Sequence, residues 1–199
     1  MSLDSPYTRE TFRYTPLLAL LVTPNVWLHP SFGKYLFAAC DIFNGLLIYQ
    51  LLVSKILPSI PTPSTSTKAI SPDTSVQLED NARKGREKLA TIYATSYLLN
   101  PLVFSISTRG SSESILSLFI LLTLYAALNS RWDMAAIMLG ISTHWKIYPI
   151  IYGIGILGVD NAAEKDKGYL RTVVNWRTTR FTLISAGTFL ILGAGCYAM

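Results

Sequence analysis

A long apolar run at residues 35–57, YLFAACDIFNGLLIYQLLVSKIL, most limits the folds that this chain can adopt. About 20 consecutive apolar residues let one helix cross the hydrocarbon core of a bilayer, so we predict a transmembrane helix here. Asp41 and Asn44 share one face of that helix. Because a carboxylate in lipid is costly, this face should look into a protein interior or a water-filled cavity. A simple hydrogen bond between Asp41 and a neighbouring helix is an equally good interpretation.

The composition of the whole chain agrees with a membrane protein. Half of the 199 residues are hydrophobic and 15% are charged, whereas soluble domains carry about 25% charged residues. The net charge of +5 is small, and the sequence lacks the dense basic stripe that is typical of nucleic-acid binding. The cysteines Cys40 and Cys196 both lie in apolar runs, which favours buried thiols over a disulfide. The sequence indicates neither a nucleic-acid partner nor a metal site.

Polar and charged segments divide the chain. Residues 58–88 are rich in Pro, Ser and Thr and end in a basic cluster, which predicts a disordered linker on the cytosolic side. Residues 160–180 form a second charged segment, which we predict to be a cytosolic loop. The complete division is an aromatic and charged segment with an interfacial helix at 1–34, a transmembrane helix at 35–57, the linker at 58–88, transmembrane helices at 89–159, the loop at 160–180 and a transmembrane helix at 181–199.

Two interruptions break the apolar segment 89–159. At Asn100–Pro101 the proline removes a backbone donor and disfavours helix at the residue before it, so the helix should kink or end there. The sequence THWKIYP, residues 143–149, places a histidine, a lysine and a proline inside an apolar stretch. Two layouts fit this stretch: one kinked span, or two short helices that meet at residues 144–149. We prefer two short helices, because they put the loop 160–180 on the same side as the linker.

With both charged loops on one side, three polar segments fall on the other side: residues 5–16 and the turns 107–114 and 144–149. Cations bind phosphate, aromatic rings cover sugar faces, and apolar walls accept a lipid tail. The pattern therefore predicts a pocket for an anionic amphiphile at the bilayer surface. Its candidate residues are the cations Arg9, Arg13, Arg109, His144 and Lys146, the rings Tyr7, Phe12, Tyr14, Trp145 and Tyr148, and the acids Glu10 and Glu113.

Three other interpretations of the same residues stay open. Each cation or ring taken alone is also typical of an interfacial anchor, such as a snorkelling lysine or a belt tryptophan. Polar residues within spans are equally typical of a transporter or channel subunit. A non-catalytic membrane scaffold is the third.

Several sequence blocks resemble one known family. SPYTRETFRYTPLLALLVTPN is followed by FGKYLFAACDIFNGLLIYQLL, then by LLNPLVFSISTRGSSESI and by HWKIYPIIY. In this order they resemble glycosylphosphatidylinositol (GPI) mannosyltransferase I, the PIG-M family. The resemblance covers roughly residues 5–157 apart from the linker, and the combination of blocks is specific.

The resemblance implies an all-α fold, a multi-pass transmembrane helical bundle like the N-terminal half of a GT-C glycosyltransferase in the endoplasmic reticulum membrane. It implies an inverting transfer of the first α-1,4-mannose from dolichyl phosphate mannose to the glucosamine of a GPI precursor. The three polar segments would then be luminal. It also implies a small stabilising membrane subunit, PIG-X or Pbn1 in relatives. Apart from the donor lipid it implies no cofactor, and whether a divalent metal takes part stays open.

An inverting transfer needs a base for the acceptor hydroxyl and stabilisation of the leaving phosphate. Within the resemblance we expect Arg109, His144 and Lys146 near phosphate. Arg13 and Tyr14 are expected to shape the luminal pocket. Glu113 is the acid that we expect among the substrate-binding residues.

The start of the chain departs from the family pattern. Members of the family carry an acidic Asp-x-Asp motif in the luminal segment before SPY, after a first transmembrane helix. This chain begins MSLD, and Asp4 alone does not make the motif. The departure predicts a truncated or fragmentary member that is inactive alone, and we assign no catalytic residue.

Overall fold

The computed structural model describes residues 15–60, 72–162 and 175–198, and every regular element among them is helical. A π-helical turn at Leu52–Ile56 joins α3 to α4. The predicted all-α, membrane-spanning fold class is confirmed. The helices are α1 (Pro16–Val22), α2 (Pro24–Trp27), α3 (Phe32–Leu51), α4 (Leu57–Ser59), α5 (Pro72–Leu98), α6 (Pro101–Arg109), α7 (Glu113–Leu128), α8 (Trp132–Trp145), α9 (Ile150–Ala162) and α10 (Trp176–Ala198).

Two of the described helices are long and apolar enough to cross a membrane. One is the continuous segment Phe32–Ser59, which comprises α3, the π-helical turn and α4 and is 28 residues long. The other is α10, which has 23 residues. A third crossing is available if the Glu79–Leu98 part of α5 and helix α6 together form one span, which would be bent by 46° at the break between them.

The predicted interruption at Asn100–Pro101 is confirmed. Asn100 has an extended backbone with ψ of 119°, as a residue before proline prefers. Its Oδ1 accepts a hydrogen bond from the backbone N–H of Leu102 at 3.0 Å, so Asn100 caps α6. The helix then ends at Gly110, whose φ of 86° suits glycine. Proline, cap and glycine together define α6 as a short separate helix.

Helix α5 corrects part of the linker prediction. It begins at Pro72, inside the segment 58–88 for which we predicted disorder, and that prediction was wrong from Pro72 onward. The Pro, Ser and Thr content led to the prediction, but the charged residues that follow are good helix formers. Arg83 Nε lies 3.0 Å from Glu87 Oε1 one turn along the helix, which supports the helix locally. Residues 61–71 lie outside the described residues.

Helices α7, α8 and α10 pack together. A tight turn with Ser130 at φ 58° reverses the chain between α7 and α8. Small residues then let α8 approach α10 closely: a Cβ added at Gly140 would lie 2.6 Å from the carbonyl oxygen of Ser185. The buried residues of this packing are Ala126, Ala127, Ala135, Ala136, Leu139 and Phe181. Because α7 and α8 are antiparallel, the end of α8 lies beside the start of α7.

The segment 134–159 contains two helices rather than one kinked helix. Helix α8 ends at Trp145 and α9 begins at Ile150. Lys146 between them is extended, with φ of −147° and ψ of 145°. This agrees with the preferred layout of two short helices. The sides of the membrane to which their ends and the loop 160–180 belong remain a prediction.

Candidate functional site

An ion pair joins the start of α7 to the end of α8. The Lys146 ammonium group contacts Oε1 of Glu113, and the Tyr148 hydroxyl donates to Glu113 Oε2 at 3.4 Å. The side chains of Lys146 and Glu113 keep 29% and 39% of their surface exposed. The pair is therefore shielded enough to be ordered and open enough to meet a ligand.

The position of Glu113 explains why a carboxylate is stable there. Glu113 is the first residue of α7, and the positive end of the helix dipole favours an acid in the first turn. Partial burial and the nearby Glu113 carboxylate raise the pKa of the Tyr148 phenol to about 12. Tyr148 is thus a proton donor to Glu113 at physiological pH.

A buried polar group lies directly behind this ion pair. Asn44 of α3 is fully buried, and its Nδ2 donates to the backbone carbonyl of Ser114 at 3.0 Å. The same amide lies 3.4 Å from the hydroxyl of Tyr97 on α5. Asp41 is also buried, at 8% exposure. The prediction that the face of Asp41 and Asn44 looks into a protein interior is confirmed.

The predicted site residues do not all meet at the ion pair. Arg109 is exposed at the last turn of α6, across a short turn from Glu113. His144 contacts α10 instead: its Nε2 lies 3.5 Å from Cys196 Sγ, and its ring centroid lies 5.7 Å from that of Phe189. Arg13 and Tyr14 lie outside the described residues, as do Arg9, Glu10, Tyr7 and Phe12. The structure thus brings together Lys146 and Glu113, and adds Tyr148 to them.

Two contributors to this region are not predictable from the sequence. Tyr97 lies in the apolar C-terminal part of α5 with no polar pattern around it, and Ser114 contributes only a backbone carbonyl. The single available signal was the pairing of Asp41 with Asn44 on one face, which requires polar partners from another helix. Across the described ranges 15–60, 72–162 and 175–198, no three His, Cys, Asp or Glu side chains come together in a way that could hold a metal ion.

Comparison with known proteins gives two kinds of match. The family model described as "GPI transamidase subunit PIG-U" matches residues 2–199. Curated relatives carry a different name. The chain is 38% identical over 191 residues to "GPI alpha-1,4-mannosyltransferase I, catalytic subunit" of Danio rerio. The aligned region covers 96% of this chain and 42% of that protein.

Two further relatives are fungal proteins named "GPI mannosyltransferase 1". The one from Emericella nidulans is 35% identical over 220 residues, covering 98% of this chain and 44% of the relative. The one from Debaryomyces hansenii is 42% identical over 151 residues, covering 74% of this chain and 31% of the relative. The chain thus spans less than half the length of these relatives. They confirm the resemblance to GPI mannosyltransferase I, and the family model, which matches nearly every residue, shows that the chain belongs to the PIG-U family.

Proposed function

We propose that this protein is a mannosyltransferase of GPI-anchor biosynthesis that uses the Lys146–Glu113 pair to hold the donor phosphate. The observation that carries the proposal is a partly exposed lysine at a helix break, in a chain similar to proteins named GPI mannosyltransferase 1. A lysine in this setting is a preformed positive charge with a replaceable partner. The proposed reaction adds the first α-1,4-mannose to the glucosamine of a GPI precursor, with dolichyl phosphate mannose as donor.

The chemistry assigns Lys146 a defined task. As the bond between C1 of mannose and the phosphate oxygen breaks, negative charge grows on the leaving phosphate, and nearby cations stabilise it. The phosphate would replace the Glu113 carboxylate at Lys146, while Tyr148 keeps Glu113 hydrogen-bonded. Arg109 is proposed as a second cation for the phosphate. The acceptor hydroxyl gives up its proton to a base that we do not assign.

The remaining site residues complete the proposal. Arg13 and Tyr14 are proposed to shape the pocket for the acceptor. His144 is proposed to hold the end of α8 in place next to the phosphate site, because its described contacts are to α10. The site is proposed to face the lumen of the endoplasmic reticulum.

A small stabilising membrane subunit of the PIG-X type is proposed as a partner. The name of the Danio rerio relative, which calls that protein a catalytic subunit, supports this proposal. Co-purification of such a subunit with the tagged protein from membranes would test it directly.

A chimera tests the function. This chain would replace its aligned counterpart in the Danio rerio relative, in cells that lack their own GPI mannosyltransferase 1. We expect GPI-anchored proteins to return to the cell surface and the unmannosylated precursor to be consumed. The matched control is the same chimera with Lys146→Ala. Persistence of the unmannosylated precursor at normal chimera abundance would contradict the proposal.

The description of the matching family favours a second candidate, a subunit of GPI transamidase. A protein of that kind would act after mannose addition. In cells that lack a transamidase subunit, it would restore anchor attachment while complete, mannosylated GPI was already present. Measuring which lipid accumulates before and after complementation separates the two functions.

A further inference from the structure

A basic cavity lies at the opposite end of α8 from Lys146. It has a volume of about 440 Å³ and lies between the α7–α8 turn and the start of α10. Its lining combines arginines with tryptophans and one carboxylate. The charged and tryptophan residues of this lining are Arg131, Trp132, Asp133, Trp176, Arg177 and Arg180. Among the described lining residues, three arginines face one aspartate, so this part of the lining is basic.

Contacts hold two of these arginines in place. Arg180 Nη2 lies 2.8 Å from Asp133 Oδ2, which links the N-terminal parts of α8 and α10. Cζ of Arg177 lies 5.6 Å from the centre of the Trp132 ring, a cation–π distance. Trp132 in turn packs edge-on against Phe181 with centroids 6.4 Å apart. The Arg177 guanidinium therefore lies over a ring that is itself packed, and Arg180 is held by Asp133, so these two side chains lose less freedom when they bind an anion.

The position of the cavity at the end of a candidate membrane span favours a lipid headgroup as the anion. Helix α10 is one of the two candidate spans, and the cavity lies at its first turn. Trp176, the first residue of that helix, is 77% exposed. Tryptophan and arginine at the end of a span lie at the level of lipid headgroups. Basic pockets between transmembrane helices bind anionic headgroups at this level.

We infer that this cavity binds the phosphate-bearing headgroup of an anionic phospholipid. Arginine suits this ligand because its planar group donates two parallel hydrogen bonds to phosphate oxygens. A belt of independent interfacial anchors would behave differently. It would attract any anionic surface, without saturation and without dependence on particular arginines.

Lipid binding to the purified full chain tests the inference. The protein would be kept in a neutral detergent, and native mass spectrometry would follow dioctanoyl phosphatidic acid, dioctanoyl phosphatidylcholine and inorganic phosphate. We expect one saturable phosphatidic acid per chain and much weaker binding of phosphatidylcholine. Inorganic phosphate should compete only at far higher concentration. Equal competition by inorganic phosphate would overturn the assignment to a lipid.

Arginine variants locate the site. Arg131→Gln and Arg177→Gln should each weaken phosphatidic acid binding about fivefold, the amount typical of one cation near a membrane surface. Arg83→Gln is the matched control, because Arg83 is exposed on α5 in an ion pair with Glu87. Equal weakening by Arg83→Gln, or none by Arg131→Gln and Arg177→Gln, would overturn the inference.

Arg180 needs a paired variant, since its loss alone leaves Asp133 without its partner. The double variant Asp133→Asn with Arg180→Gln removes both charges together. It should also weaken binding if the protein retains its circular dichroism spectrum and elution volume. Arg131→Gln lies in the turn outside the helices, so its result decides the inference even if the double variant does not fold.

Discussion

The side-chain amide of Asn44 donates a hydrogen bond to the backbone carbonyl of Ser114 over 3.0 Å. This bond ties the middle of the Phe32–Ser59 span to the first turn of α7, one residue from Glu113. Asn44, a polar residue inside the first predicted span, therefore supports the backbone next to the candidate site. The position of Glu113 depends on a helix that is distant from it in sequence.

Replacement of Asn44 by leucine should destabilise the protein. The variant keeps the branched shape and the number of side-chain heavy atoms, although it is bulkier, and it leaves the Ser114 carbonyl without its donor, a cost of about 1–3 kcal/mol for a buried group. The melting temperature in detergent, followed by circular dichroism, measures this loss. Gln50→Leu on the same helix is the control, because Gln50 is exposed. Equal melting temperatures for the two variants would contradict a role for the Asn44 bond.

Replacement of Lys146 should abolish mannose transfer in the chimera. Loss of one preorganised group that stabilises transition-state charge costs about 100-fold or more in rate. The charge swap Glu113→Lys with Lys146→Glu tells a phosphate ligand from a purely structural pair. We expect the swap to stay inactive, because it places a carboxylate where the phosphate must bind. Recovery of transfer by the swap would limit the pair to a structural role.

Arg109→Ala should lower mannose transfer without lowering protein abundance. Arg109 is exposed, and among the described residues no ion pair is found for it, so its loss removes little packing. Arg109→Lys should keep part of the activity, since it retains the charge but not the planar donors. The assay compares transfer per chimera molecule, quantified by immunoblot. Wild-type transfer by Arg109→Ala would remove this residue from the site.

Gly140→Ala should loosen the packing of α8 on α10. The added Cβ would lie 2.6 Å from the Ser185 carbonyl oxygen and 2.7 Å from Thr188 Cβ, so one helix must shift. Overpacking of this kind costs about 1–3 kcal/mol. Gly187→Ala on α10 is the control, because nothing lies within 4 Å of its added Cβ. A lowered melting temperature for Gly140→Ala alone is expected, and equal values would contradict the close contact.

The Tyr148 phenol should titrate at unusually high pH. Its pKa is about 12 in the folded protein, raised from the ordinary value of 10. The folded state keeps its proton where the unfolded state has lost it, so this stabilisation is complete below pH 10 and is lost as pH rises to 12. Ultraviolet titration of the wild type minus Tyr148→Phe isolates this phenol. A transition near pH 10 would show that Tyr148 does not face Glu113.

Local signals in the sequence predicted the breaks in the helices. Proline at position 101 and the polar residues before Pro149 interrupt apolar runs, and interruptions of this kind act within a few residues. The span that contains Asp41 was also predictable, from the length of its apolar run. The partners of these residues were not predictable. Lys146 contacts a carboxylate thirty-three positions earlier, and His144 contacts α10. Helices that are apolar on all sides show no preferred face in the sequence, so their packing partners could not be predicted.

The gap between α8 and α9 has a consequence for the surrounding lipid. The Lys146 N–H still bonds to the Ser142 carbonyl, and the next backbone bond starts from the Ile150 N–H to the Ile147 carbonyl. The regular helical pattern is broken between these two bonds, and acyl chains offer no hydrogen-bond partners there. Wherever this gap touches the bilayer, water and headgroups have to be drawn down to it, so the leaflet should be dimpled on this flank. A phospholipid that diffuses laterally to this flank would then keep its charged headgroup in contact with water instead of carrying it into the hydrocarbon core.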